Sequence, residues 1–281
     1  MSWLELEGTV NTRDVGGLPT VDGRTTRTGV LLRSDNLQDL TDADVARLLE
    51  LGLRTVVDLR STGEVHLEGP TPLAGRVEHR QFSLIPEWDG EPDREEVELA
   101  VDQAVLNDRQ ADAALPSLSD FAPRPGRPDD RDPADLSPHY VNYVRNAGGG
   151  IASALRVLAD PDAGTTLVHC AAGKDRTGVV VALALSLAGV QRDAVVEDYL
   201  RSAERADRIL ARLKATTTYG PSLARTTVAE TTPQRASIEG FLDHVDRAYG
   251  GPHGLAAAIG VSEEEVARLG VRLVGTSPHA R

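Results

Sequence analysis

One cysteine narrows what this chain can fold into. It stands in the run His169-Cys170-Ala171-Ala172-Gly173-Lys174-Asp175-Arg176-Thr177-Gly178, after the β-branched stretch Thr165-Thr166-Leu167-Val168 and before the Ala/Val/Leu-rich stretch Val179 to Leu187. The first stretch reads as a buried strand and the second as a buried helix. The run between them is therefore a strand-to-helix loop, the hallmark of an α/β architecture. A helix N-terminus offers unpaired N–H groups and a positive dipole end, which together stabilise an anion. A thiol in such a field, beside a guanidinium, is favoured as the nucleophilic thiolate.

Cys170 and Arg176 are separated by five residues. A loop of that length wraps a tetrahedral oxyanion, its amides turned inward and the planar guanidinium matching two phosphoryl oxygens at once. The expected phosphate cradle is Ala171, Ala172, Gly173, Lys174, Asp175 and Arg176. Gly173 serves where backbone approaches closely, Gly178 eases helix packing, and the Thr177 hydroxyl is placed to donate to the sulfur. A buried structural cysteine would account for Cys170 alone. A nucleotide-binding Walker loop is excluded, because Val168 stands where its first glycine belongs and Asp175 follows the lysine in place of Ser or Thr.

The pattern His-Cys-x5-Arg-Thr resembles the signature loop of the cysteine-dependent protein tyrosine phosphatase superfamily. Ala-Gly-Lys-Asp-Arg-Thr-Gly is similar to one branch, the bacterial tyrosine and phosphoinositide phosphatases of the mycobacterial phosphatase B kind. Asn11-Thr12-Arg13-Asp14-Val15-Gly16-Gly17 resembles that branch's N-terminal motif, Asp58-Leu59-Arg60 its Asp-Leu-Arg, and the C-terminal Gly-Val-Ser-Glu-Glu-Glu-Val-Ala-Arg-Leu its closing helices. The resemblance implies a mostly parallel central sheet flanked by helices. It implies hydrolysis of phosphomonoesters through a phosphocysteine, with a phosphorylated protein as substrate and inorganic phosphate as product. Phosphotyrosine leads; phosphoserine, phosphothreonine and a phosphoinositide remain alternatives.

Within that reading Cys170 is the nucleophile and Arg176 the phosphate clamp. Asp175 is the general acid, since Trp88-Asp89 only distantly resembles the movable Trp-Pro-Asp loop of other relatives. A salt bridge from Asp175 to Lys174 or Arg176 is the competing role. Lys174 either meets an extra phosphate or raises the local potential. His169 orients the loop. Arg13 and Asp14 read as a structural ion pair ahead of substrate contact, and Asp58 and Arg60 as supporting residues or an ion pair bracing the site. A phosphate-binding module without turnover would usually have lost the nucleophile or the acid, and an arsenate reductase would need further cysteines.

The 281 residues suffice for one phosphatase domain, and 40% hydrophobic with 26% charged residues is ordinary for a globular protein. A net charge of −13 disfavours nucleic acid or an anionic membrane as a bulk partner. Fifteen acidic residues against five arginines fall within 86–137, which also holds seven of the sixteen prolines. That stretch reads as an insertion, either a lid or a mobile acidic loop, with one helix allowed over Arg94 to Leu106. No metal-ligand cluster or dinucleotide fingerprint is present, so no cofactor is expected. A lone cysteine makes no internal disulfide, the N-terminus lacks a secretory signal pattern, and no run is long enough to span a membrane. The expectation is a cytoplasmic protein, with leaderless export the alternative.

Other elements follow from periodicity: strands at Val30–Arg33, Thr55–Arg60 and Val77–Leu84, a helix capped by Thr41, and a helix over Tyr140–Leu158 bent at Gly148-Gly149-Gly150. One long helix is expected over Asp193–Leu213, carrying Glu197–Arg201 and Glu204–Arg208 pairs. Thr216–Thr232 reads as irregular, and helices resume at Gln234–Tyr249, Gly254–Ile259 and Ser262–Leu269.

Overall fold

A computed structural model describes residues 2–85 and 136–275. The insertion 86–137, its helix at 94–106 and Trp88-Asp89 lie almost wholly outside the described residues. The framework is a six-stranded sheet of β1 (Ser2–Trp3), β2 (Arg13–Asp14), β3 (Leu31–Ser34), β4 (Leu53–Asp58), β5 (Glu78–Gln81) and β6 (Thr165–His169). Their order is β1-β2-β3-β6-β4-β5. The block β3-β6-β4-β5 is parallel, and β1 and β2 add on antiparallel.

The two-residue period of a strand sorts the core into two layers. Leu32, Val56 and Leu167 pack with Leu37, Val45 and Leu48 beneath α1 (Asp42–Glu50). Leu31, Val57 and Val168 face the larger layer. That layer holds α3 (Ser137–Ala159), α4 (Asp175–Leu187), α5 (Arg192–Leu200), α9 (Arg235–Tyr249), α10 (Pro252–Ala258) and α11 (Glu263–Val274). α2 (Thr62–Glu68) follows β4, α6 (Ala206–Ala215) follows α5, and two single turns, α7 (Gly220–Leu223) and α8 (Val228–Thr231), lie between α6 and α9. α4 is buried on nearly every face, which is why its sequence shows no polar stripe. Thr41 and Ser262 close capping boxes with Asp44 and Glu265, as their spacing predicts.

The expected bend in α3 occurs at Ala147, whose φ of −133° leaves the helical region just ahead of the three glycines. The helix expected over Asp193–Leu213 is interrupted by a 3₁₀ turn at Arg201–Arg205. Here Arg13 Nη2 donates to the Asp198 main-chain oxygen at 2.7 Å, the oxygen an α ladder would offer to Ser202. The chain tightens in response. The expected charge pairs are replaced: Glu197 meets Arg235, and Arg201 lies 3.4 Å from Glu204. The strand expected at Thr55–Arg60 runs from Leu53 to Asp58, so Arg60 stands beyond its end.

Candidate active site

β6 is the central strand, and its C-terminal end delivers Cys170 between the ends of β3 and β4, where ligands gather in open α/β sheets. The loop Cys170–Lys174 then turns into α4. Gly173 has a φ of +69°, and a Cβ there would lie 2.4 Å from the Ser34 carbonyl oxygen, so glycine is required on both counts. A Cβ on Gly178 would sit 2.9 Å from the Tyr199 ring.

Four successive loop carbonyls are bonded from outside. His169 Nδ1 lies 3.2 Å from the Cys170 oxygen, the Asn36 amide donates to Ala171 at 2.9 Å, Asn11 Nδ2 to Ala172 at 2.9 Å, and Arg33 Nη2 to Gly173 at 2.7 Å. In a trans peptide the next N–H points opposite to the carbonyl, so the amides of residues 171–174 turn toward the loop's interior. The Gly173 N–H meets Cys170 Sγ at 3.3 Å. No side chain caps α4, so its first-turn amides add to the same donor set.

The clamps behind these donors come from remote segments. Asp198 accepts from Arg13 Nε at 3.0 Å and Arg33 Nη1 at 2.5 Å, all three side chains being buried. Asn11 Oδ1 accepts from Arg13 Nη1 at 2.8 Å and Ser202 Oγ at 3.2 Å, which fixes the amide that reaches Ala172. On the other flank Arg60 makes a bidentate bond to Asp58 and donates to Asn36 Oδ1 at 2.9 Å. Asp58 Oδ2 lies 3.5 Å from His169 Nε2. Burial keeps the His169 imidazole from protonating, with its pKa down at about 4.

Arg176 faces Glu64 end-on, with Nη1–Oε2 at 2.6 Å and Nη2–Oε1 at 2.8 Å, and Nη1 also donates to the Leu59 oxygen at 3.4 Å. Glu64 Oε1 accepts from the Tyr219 hydroxyl at 2.8 Å, and Oε2 from the Ser61 amide at 2.8 Å. Although burial opposes ionisation, Arg176 holds the Glu64 carboxyl below its usual range and Glu64 holds the guanidinium charged. Of the five guanidinium protons, Nε–H and the outer Nη2–H are left without a partner among the described residues. They form one fork along the edge away from Glu64. Asp175 is held by Lys174 Nζ at 2.8 and 2.9 Å and by the Tyr140 hydroxyl at 2.6 Å. Burial would keep its proton on, but Lys174 and Tyr140 prevail and the carboxyl lies below its usual range.

The sequence model of the tyrosine phosphatase family matches residues 4–275. The chain belongs to that family. The triple specificity protein phosphatase PtpB of Mycobacterium tuberculosis is 32% identical, over 98% of this chain and the whole of the relative. A putative tyrosine-protein phosphatase of Cupriavidus necator is 35% identical over 69% of this chain and 61% of its own length. A tyrosine-protein phosphatase of Nostoc commune is 28% identical over 86% of this chain and 73% of its own length.

In this phosphatase the residues singled out from sequence gather around the loop, with differences in their contacts. Arg13 pairs with Asp198 and not with Asp14; neighbours on β2 point to opposite faces, and Asp14 accepts from the amides of Gly16 and Gly29. The Thr177 hydroxyl is buried without a partner among the described residues and makes no bond to the sulfur. Lys174 is paired with Asp175 and 8% exposed. Sequence reasoning missed Glu64, Tyr219, Arg33, Asn36, Asp198 and Tyr140. Ser61-Thr62-Gly63-Glu64 is a legible capping box, which Glu64 indeed closes, but nothing in it shows the same carboxylate reaching Arg176. Among the described residues no group of His, Cys, Asp or Glu could hold a metal ion, and no helix is long and apolar enough to cross a membrane.

Proposed function

We propose that this chain is a single-domain protein tyrosine phosphatase working through a phosphocysteine. The observation that carries the reading is the loop itself: outward-bonded carbonyls, the Gly173 amide on the sulfur at 3.3 Å, and an arginine whose one unpartnered edge is a two-proton fork. These donors match the three equatorial oxygens of a phosphoryl group, and positioned donors are most of what phosphoryl transfer requires. The Cys170 thiolate attacks phosphorus in line, a P–S bond forms, and the P–O bond to the leaving group breaks with its electron pair on oxygen. Asp175 supplies that oxygen with a proton. An incoming phosphate dianion raises the proton affinity of the neighbouring carboxylate, which offsets the hold of Lys174. In the second half a water gives its proton to Asp175 and attacks phosphorus, the P–S bond breaks, and inorganic phosphate leaves.

Two features support phosphotyrosine over an inositol polyphosphate. Lys174 is paired with a carboxylate, and the wall beside Ala171 is the apolar group Leu210, Tyr219, Leu223, Leu67 and Leu213, which suits an aromatic ring. The test is metal-free turnover of p-nitrophenyl phosphate, phosphotyrosine, phosphoserine and phosphothreonine peptides and phosphatidylinositol phosphates by wild type and Cys170→Ser. Cys170→Ser should abolish turnover while retaining inorganic phosphate binding. Turnover that survives refutes the nucleophile, and a higher kcat/KM on the lipid refutes the substrate order.

A further inference from the structure

The Asp175 carboxylate is approached from behind by hydroxyls that the reaction above leaves unused. Tyr140, fully buried on α3, donates its O–H to Asp175 Oδ1 at 2.6 Å. A phenol has one proton to give, so in the 2.7 Å contact between the Tyr140 and Tyr199 oxygens the donor is Tyr199. Tyr199 is also bonded to Ser237, and Ser237 Oγ accepts from the Leu136 amide at 2.8 Å. A backbone N–H only donates. Every proton in the run therefore points one way, from Leu136 through Ser237, Tyr199 and Tyr140 to the carboxylate, and aligned donors polarise one another.

We propose that Tyr140 is the positioning residue for the Asp175 acid, with Tyr199 as the orienting donor behind it; the proposal rests on Asp175 being the general acid. Oδ1 accepts from Tyr140 at 2.6 Å and from Lys174 Nζ at 2.9 Å, so the carboxylic proton sits on Oδ2, and Lys174 Nζ, 2.8 Å from Oδ2 in the ionised carboxylate, then bonds Oδ1 alone. From Oδ2 it passes to the ester oxygen as the P–O bond breaks, and Oδ2 takes a proton from water in the second half-reaction. Tyr140 keeps its own proton throughout, since burial and the adjacent Asp175 hold its hydroxyl well above the usual phenol range. The other groups facing Asp175 are Lys174 from its own loop, His139 from α3 and Tyr199 from α5.

The experiment is the pH profile of kcat, which reports groups in the enzyme–substrate complex, on a phosphotyrosine peptide for wild type, Tyr140→Phe, Tyr199→Phe and Asp175→Asn. Phenylalanine retains the ring packing and removes only the hydroxyl. Loss of a donor to the ionised carboxylate should move the alkaline limb of Tyr140→Phe upward by ~1 pH unit and lower its plateau about tenfold. Tyr199→Phe should shift the limb the same way by less. A merely structural tyrosine would lower the plateau or the melting temperature with the limb unmoved, and that result overturns the proposal. Asp175→Asn should erase the alkaline limb. If the limb persists there, the acid assignment is wrong and the proposal falls with it; if it vanishes there but stands still in Tyr140→Phe, the proposal alone fails.

Discussion

Two buried carboxylates flank the loop of residues 170–176, and each holds arginine. Behind the loop Asp198 grips Arg13 and Arg33; in front, Glu64 grips Arg176. The chemistry of the pairs is the same, and the use of the remaining donors differs. Arg13 gives its other protons to Asn11, Ser202 and the Asp198 main chain, and Arg33 gives Nη2 to Gly173. These arginines tie β2, β3, α5 and the loop together, and the Arg33 Nε–H, which has no partner among the described residues, is sealed in the interior. Arg176 keeps a fork. An arginine whose bonds end in the protein builds a scaffold, and one left with an open edge builds a site.

The sharpest way to break this distinction is Asp198→Asn. It leaves two buried guanidiniums facing one neutral amide, and breaking a buried charge network of this kind costs about 3–5 kcal/mol. Urea unfolding should show that loss, with activity falling alongside stability because the Gly173 carbonyl loses the support of Arg33. Wild-type stability in Asp198→Asn would remove the scaffold role altogether.

The scaffold is also the part that sequence conceals. β6, the loop and α4 are legible because strand, glycines and helix lie within one continuous stretch, and each local preference agrees with the fold. The residues that orient the loop lie far away: Arg33 is 140 positions from Gly173, and Asp198 is 185 from Arg13. Arg33 reads locally as the polar end of a strand, and Asp198 as one acid on a helix. Only sheet order, which places β3 beside β6, brings the former to the loop. The Asp198–Arg13 bond also explains the miscast helix, since periodicity cannot foresee a remote guanidinium taking a main-chain carbonyl.

On the front side Glu64→Gln should act mainly on rate. Glutamine can still accept from the Ser61 amide and one Arg176 proton, so the α2 cap survives, while the charge that orients the guanidinium is gone. We expect kcat/KM on p-nitrophenyl phosphate to fall about a hundredfold, equivalent to ~2.7 kcal/mol, with a smaller stability loss than in Asp198→Asn. The reverse order, stability collapsing while rate holds, would mean that Glu64 is scaffold and the front and rear pairs do not differ in kind.

Asn11 is the finest probe, because its amide links the rear cluster to the loop that leads to Arg176: Nδ2 bonds the Ala172 carbonyl and Oδ1 accepts from Arg13 and Ser202. Asn11→Ala leaves three polar groups to find new partners, a cost of ~1–3 kcal/mol in stability, and frees the Ala172 carbonyl to rotate. Rotation swings the Gly173 N–H off the sulfur and out of the donor ring. The variant should bind inorganic phosphate several-fold more weakly as an inhibitor, with a smaller fall in kcat. If front and rear act independently, its effect on kcat/KM adds to that of Glu64→Gln within ~0.5 kcal/mol, as for separated sites. A coupling well above that would show that the loop transmits strain from the Asp198 cluster to Arg176, and the two arginine systems would then be one.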